Sequence, residues 1–455
     1  MPEKCAVFAL YGEAANAEPY IGRTPNLRGR LERLLIPSSK HPKRLQLAGR
    51  VRRIEWRLTG SDFESLLLQF NLLEEVYGTK CLERMHLGAP SFVRFLGGNA
   101  YPRLTVTNRP SQKERDWAYG PFASRVAAER FADEALKLFL LRRCVEELEP
   151  DPGHPGCVYS EMKMCLAPCY KGCSDERYAE EGAAVERFLA TRGESKLVQL
   201  RSARDEASGN LEFEAAATLH AQVQKAEAVR ALAPELVRPL GQLRAVVLQA
   251  PAVGPSAPSA PGTPMEALAP EVAIFLYQDG RLRGPAVFST LGMRIQNEQS
   301  GSSSLYAQPM AMEAVAEERD RGPGTGDQRD RDQRDREQGA GLRGQDGGDK
   351  GAEGQRELDG REQGAGRSAE RKAARTMLEA RMEAVLAELG GQSELPNASV
   401  RQGHLALLKR WYYRPEVKRP GEIFFPDEEG GWPVRALLRG VGRIAAKSLT
   451  APAAS

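Results

Sequence analysis

The sequence has no run approaching ~18 uninterrupted apolar residues, so no segment reads as a membrane span. Its opening, MPEKCAVFALYGE, lacks the basic, then apolar, then small-residue order of a secretory signal, and the expected setting is cytoplasmic. Cysteine is scarce, at seven in 455 residues, too few for a disulfide framework and expected to stay reduced in that setting. An excess of one charge is also missing. The 64 Lys and Arg face 61 Asp and Glu for a net of +3, which excludes a uniformly basic histone-like binder and an acidic solubilising chain. Residues 319–368 contain no valine, isoleucine or aromatic residue and repeat REQGAG at 336–341 and 361–366. So little apolar surface cannot offset the entropy of ordering, and this stretch is expected to be disordered.

What is present is unevenly placed. Residues 1–60 carry twelve Lys and Arg against five Glu, a net of +7, and the tail from Val400 is +5. The length exceeds one ordinary domain, and the patterning predicts an α/β multidomain chain. Cys5–Leu10 and Glu18–Gly22 read as short strands, with Thr24 as N-cap and Pro25 opening a helix buried through Leu27, Leu31, Leu34 and Leu35. Ile54, Trp56 and Leu58 alternate as a third strand, and Ser61 with Glu64 makes a capping box for DFESLLLQFNLLEE. Residues 95–180 hold a cysteine cluster and are expected to form a Cys-rich, metal-binding α domain. Residues 195–230 read as a helical hairpin, with Asn210 as the second N-cap and an apolar stripe of Phe213, Ala216, Ala217 and Val223. Leu243–Gln249 and Val272–Tyr277 are strand-like runs in a small β-containing region, 240–312, separated by a Pro/Ala/Ser/Gly linker. Gln278–Arg281 is a tight turn, with Ala286–Ser289 returning. In the last segment, 373–455, Leu378, Met382, Val385 and Leu389 form a helical stripe ending at Gly390 and Gly391, before a basic, aromatic tail.

The cysteines are spaced Cys144-x12-Cys157-x7-Cys165-x3-Cys169, with Cys173 one step further. Soft thiolates at this density bind zinc or an iron–sulfur cluster, and spacing alone leaves both open. Cys173 and His154 are spare candidates.

PYIGRTPNLRGRL, followed some forty residues later by SDFESLLLQFNLL, resembles the GIY-YIG nuclease module, and more closely the N-terminal half of the UvrC family of excision repair. AYPRLTVT, AYGPFASRVAAERFADEALKLFLLRRC, the cysteines and the hairpin continue the resemblance in the family's order. It implies a GIY-YIG domain over 1–92 that hydrolyses a DNA phosphodiester beside one divalent ion, Mg²⁺ or Mn²⁺. It places Tyr20 and Gly22 in the YIG element and Arg23 and Arg30 at phosphate-binding positions. Guanidinium suits that role, since it bridges two phosphate oxygens and stabilises growing charge. Arg28, Arg33, Lys43 and Arg44 extend the expected DNA-binding face.

The chain departs from the family at two positions. Phe8 stands where the first motif tyrosine is expected, removing a hydroxyl that would act on the attacking water. Gln69 stands where the metal-holding glutamate is expected, and a neutral amide offers a hard cation no charge. Glu64 belongs to the capping box and lies off Gln69's line along the helix, and Asn71 is given a structural role. The resemblance further implies an iron–sulfur cluster on Cys144, Cys157, Cys165 and Cys169. It also implies a UVR hairpin that meets the UvrB subunit through Phe213, Ala216, Ala217 and Val223. An RNase H-like second nuclease would follow in the family, and it is expected to be absent here. Two readings stand: an excinuclease subunit with impaired GIY-YIG chemistry, or a non-catalytic DNA- and UvrB-binding accessory.

Overall fold

The computed structural model describes residues 1–13, 18–36, 47–109, 118–252, 269–293, 372–391 and 395–450. Lys43, Arg44, most of the Pro/Ala linker and the repeat-bearing stretch 319–368 lie outside the described residues. The chain divides into one unit of Met1–Leu291 with Arg381–Ser455 and another of Gly292–Ala380. In the second, residues 372–380 are helical and carry an Arg375–Glu379 ion pair. Everything below concerns the first unit.

Its N-terminal sheet has β1 (Ala6–Tyr11) in the middle, antiparallel to β2 (Tyr20–Thr24) and β3 (Arg53–Leu58). Alternation along β1 sends Ala6, Phe8 and Leu10 to one face, where they pack on Leu27, Leu31 and Leu34 of α1 (Leu27–Leu35). The α1 N-cap differs from expectation. Asn26 fills it, its side chain accepting from the Gly29 N–H at 2.8 Å, because Thr24 is the last residue of β2 and turns its hydroxyl to Asn26. Helix α2 (Asp62–Tyr77) packs on β1 and β2. The Ser61 cap forms as expected, but the Glu64 carboxylate accepts from the Gly60 N–H rather than from Ser61.

The second sheet runs β5-β4-β6-β7: β4 is Ser91–Phe95, β5 Leu104–Thr107, β6 Ala118–Phe122 and β7 Arg238–Pro239. After the short α3 (Cys81–Met85), these strands and α4 (Arg125–Ala135) make the cysteine region a mixed α/β unit rather than the α domain expected. The reason is visible in Val93, Phe95, Tyr119 and Phe122, strand residues that supply its core along with Phe131 and Phe188. Helices α5 (Val158–Glu161) and α6 (Asp175–Ala190) follow, then the pair α7 (Glu194–Gly209) and α8 (Phe213–Ala231). Asn210 caps the C-terminus of α7 instead of opening α8, since the reversal is made by Leu211 at φ 61°.

The third sheet, β10-β9-β8-β11, takes β8 (Ala245–Gln249), β9 (Glu271–Gln278) and β10 (Arg281–Ser289) from the middle of the chain. Its fourth strand, β11 (Glu422–Phe424), comes from the tail and pairs with β8. The predicted turn is at Asp279 and Gly280, both at positive φ. A helix over residues 372–390 (α9) ends where the glycine pair predicts, with Met382 and Leu386 buried. Helices α10 (Ala398–Tyr412) and α11 (Val434–Thr450) complete the tail.

One core joins these parts. Phe63, Leu66, Leu67, Phe70 and Leu73 of α2 pack with Phe275 of β9 and Trp411 of α10. Gly403 of α10 lies so close to Phe70 that a Cβ there would overlap the ring. Gly403→Ala is therefore expected to lower stability by about 1–3 kcal/mol through overpacking, read as a shift in the urea midpoint with unchanged slope.

Candidate functional site

Strand pairing decides which of the predicted residues meet. Phe8 is opposite Gly22 and Leu10 opposite Tyr20, so Tyr20 shares the α1 face of the sheet with Phe8, their ring centroids 6.1 Å apart. A Cβ at Gly22 would stand 2.8 Å from the Phe8 ring, so this strand position takes no side chain. Arg30, one turn into α1, donates from its guanidinium to the Tyr20 hydroxyl at 3.1 Å. Phe8, Tyr20, Gly22 and Arg30 thus form one assembly.

Arg23 is one residue out of phase with Gly22 and so faces α2. There it is ion-paired to Asp62, whose other carboxylate oxygen accepts from Arg414, just beyond α10. Burial alone would raise the Asp62 carboxyl, but the Arg414 and Arg23 guanidiniums outweigh it and hold the group below the usual carboxylate range. Sequence reasoning missed Asp62 and Arg414; the only local signal was an acid directly after the Ser61 cap. Arg28 pairs with Glu32 and Glu3, and Arg33 donates to the Gly29 carbonyl, so both are held along α1.

Gln69 lies on α2, half-buried. Among the described residues it shares no hydrogen bond with Tyr20, Arg23 or Arg30. Glu64, the carboxylate nearest it toward the helix start, is buried, and burial pushes it up despite the Gly60 N–H. Nor do any three His, Cys, Asp or Glu side chains among the described residues stand close enough to share one metal ion. At Gln69 itself the side chain offers a neutral amide, not a carboxylate.

The cysteines lie elsewhere, between the second sheet and α6. Burial, and beyond it the neighbouring sulfurs of Cys157, Cys169 and Cys144, push the Cys165 thiol up. Cys169 is pushed up by burial, then by Cys157 and Cys144. Cys144 and Cys157 therefore lie within electrostatic reach of both Cys165 and Cys169. Cys173 instead feels burial, Arg177 and Asp175, and packs on the core of the second sheet. The Ala167 N–H donates to the Cys165 sulfur at 3.1 Å, and buried Arg142 reaches the Cys144 sulfur at 3.6 Å. Lys163, Ala167 and Lys171 all take positive φ, which curls this segment around its sulfurs. His154 accepts from the Gly156 N–H at its Nδ1.

In the helix pair, Val223 packs with Leu197, Leu200 and Ala226, so it holds α7 to α8 and is withheld from any partner. Phe213 is 66% exposed and Leu211 71%, while Ala217 is exposed and Ala216 half-buried. The apolar surface left open is therefore at the tip of the pair.

Comparison with known proteins bears on these regions directly. A family model described as "UvrC/Cho excinuclease, middle domain" matches residues 92–188, from β4 into α6. Similarity to UvrC proteins extends over about half of the chain. The chain is 28% identical over 230 residues to UvrABC system protein C of Ruminiclostridium cellulolyticum, covering 49% of the chain and 36% of that protein. It is 30% identical over 221 residues to the same protein from Shigella dysenteriae serotype 1, covering 48% and 37%. The protein from Escherichia coli O1:K1 / APEC is also 30% identical, covering 48% and 35%. The chain thus spans little more than a third of the length of the curated relatives it matches. No solved structure matches it. Among the described residues, no helix is long and apolar enough to cross a membrane.

Because the Asp62 carboxyl is depressed in the folded chain, its contribution to stability is present above the unfolded pKa of about 3.9 and lost as pH falls through the lower folded value. Asp62→Asn is expected to lower Tm at neutral pH, with the deficit shrinking below about pH 4 in thermal melts. Buried His404, brought down to about 3 by burial and then by Arg281 and Arg283, destabilises both proteins alike below about pH 6.5 and cancels from the difference.

Proposed function

We propose that this chain acts in nucleotide excision repair as a UvrC-like subunit that binds damaged DNA and a UvrB-type partner, with its GIY-YIG nuclease chemistry impaired. The observation that carries the reading is the Tyr20–Arg30 pair assembled around Gly22 on the N-terminal sheet, followed directly in sequence by the UvrC middle-domain match. Arg30 is placed to hold a scissile phosphate, and the Tyr20 hydroxyl that accepts its proton keeps the guanidinium oriented. Phe8 fills the space beside Tyr20 with an apolar ring and supplies no hydroxyl to the attacking water. Gln69 leaves a hard cation without its carboxylate. These two residues favour the second reading, a DNA- and UvrB-binding accessory that does not cut. The exposed tip at Leu211 and Phe213 is the surface offered to the partner.

The four neighbouring cysteines supply the soft thiolate set that an iron–sulfur cluster takes. Cys165 and Cys169 both lie within electrostatic reach of Cys157 and Cys144, which supports that reading. The bound cluster would cross-link the segment from Cys144 to Cys169, while the Ala167 N–H and Arg142 offset thiolate charge.

A nicking assay on damaged duplex with UvrB and Mg²⁺ or Mn²⁺ tests the nuclease reading. Wild type is expected not to cut, and Phe8→Tyr/Gln69→Glu to gain cutting that Arg30→Ala removes; wild-type incision lost in Arg30→Ala would overturn the impairment. For the cluster, anaerobically purified protein is expected to carry iron and visible absorbance. Cys144→Ser, Cys157→Ser, Cys165→Ser and Cys169→Ser should each lose both signals, and Cys173→Ser should keep them. Stoichiometric zinc without iron would overturn the cluster.

A further inference from the structure

In the helix pair, Arg230 and Arg201 share Glu194, and Arg201 also meets Glu227. Arg192, between α6 and α7, and Arg238, in β7, lack such pairing. Among the described residues neither has a carboxylate within ion-pair distance, and the Arg192 Nε is buried with no hydrogen-bond partner. Burial is the main cause lowering both; Arg230 lowers Arg192 further, and Arg192 lowers Arg238, which is down to about 10. The single acid acting on them is Glu235, which offers Arg238 Nε only its backbone carbonyl, at 3.0 Å. Two guanidiniums brought together half-buried and unpaired are a cost to the fold that a bound anion would remove.

Tyr412, at the end of α10, is pushed up by burial and Glu235 against the pull of Leu236, Arg419 and Arg192, and it acts in turn on Arg238. Arg419 lies over the Tyr412 ring at 5.2 Å and donates to the Tyr412 carbonyl at 2.8 Å. Arg238 lies over Phe425 at 4.6 Å. The aromatic faces hold these forks in place with part of their donor set unused, an arrangement suited to bidentate capture of a phosphate.

We infer that Arg192, Arg238 and Arg419, gathered around Tyr412, form a phosphate-oxyanion site separate from the Tyr20–Arg30 assembly and bind the nucleic-acid backbone there. The inference rests on the reading of the chain as a DNA-binding repair subunit, and it adds a second contact with that ligand. Three stretches distant in sequence build the site, so it exists only in the folded chain.

The test uses full-length protein, a fluorescein-labelled duplex and inorganic pyrophosphate. Arg192→Gln/Arg238→Gln is expected to weaken duplex binding about tenfold at low salt and to flatten the plot of log K against log salt by roughly two contacts. Its Tm should be unchanged or higher, because a like-charge pair has been removed; a lower Tm together with weaker binding would mean a structural role and overturn the site. Arg192→Lys/Arg238→Lys keeps the charge without the forks and should bind between the two. Duplex affinity that falls in Arg30→Ala but not in the Gln pair overturns this site and leaves the nuclease-module reading intact. The converse removes the module's DNA contact and keeps this one. Thermal stabilisation of wild type by pyrophosphate, absent in the Gln pair, without any difference in duplex binding assigns the site to free phosphate rather than nucleic acid. No difference in either arm overturns it outright.

Discussion

The rest of this molecule depends on α2 having almost no side to give to water. One side of the helix lies on β1 and β2, and the other buries Phe63, Leu66, Leu67, Phe70 and Leu73 against β9 and α10. A helix apolar on so much of its circumference is stable only when both neighbours are in place. The N-terminal sheet, which has few strands and one short helix of its own, therefore takes much of its support from residues several hundred positions later. Asp62 repeats the theme in charge, since one carboxylate joins Arg23 of β2 to Arg414 beyond α10.

That dependence bears on what the Gln69 and Phe8 replacements mean. Neither disturbs the packing. Phe8 is a fully buried member of the α1-side core, and Gln69 sits on a helix whose other positions carry the core. The substitutions subtract a hydroxyl and a charge while leaving the scaffold that would present them. On the proposed reading, a phosphate-holding geometry built around Arg30 would persist without the metal chemistry, because orientation and metal binding would be carried by different residues.

How far the sequence foretold this varies with the range of the interaction. Strand alternation in β1 to β3, the leucine face of α1, the Ser61 cap and the Asp279–Gly280 turn were legible because each depends on neighbours a few residues away. The Asn26 cap was missed by two residues because Thr24 was claimed by strand pairing, a tertiary demand that local capping preference does not contain. Asn210 was misplaced for a similar reason: an unfavourable left-handed leucine makes the reversal, and propensity argues against it. Val223 looked like a partner surface until the packing of α7 on α8 was known. Asp62 with Arg414 had only the local sign of an acid after the Ser61 cap, and the mixed character of the cysteine region and the arginines around Tyr412 had none. Cys173 was set apart from the other four by the family resemblance alone.

The pairing of β11 with β8 has a consequence for every shortened form of this chain. All five residues of β8 are buried, and β11 is what stands between its outer hydrogen-bonding groups and the solvent, held by Arg443 on Glu422. A chain interrupted before Glu422 would keep the other three strands and expose a flat apolar edge with its N–H and C=O groups unanswered. Such an edge recruits a strand from whatever chain is nearest. The short tail strand thus guards the protein against association with itself, whatever it contributes to repair.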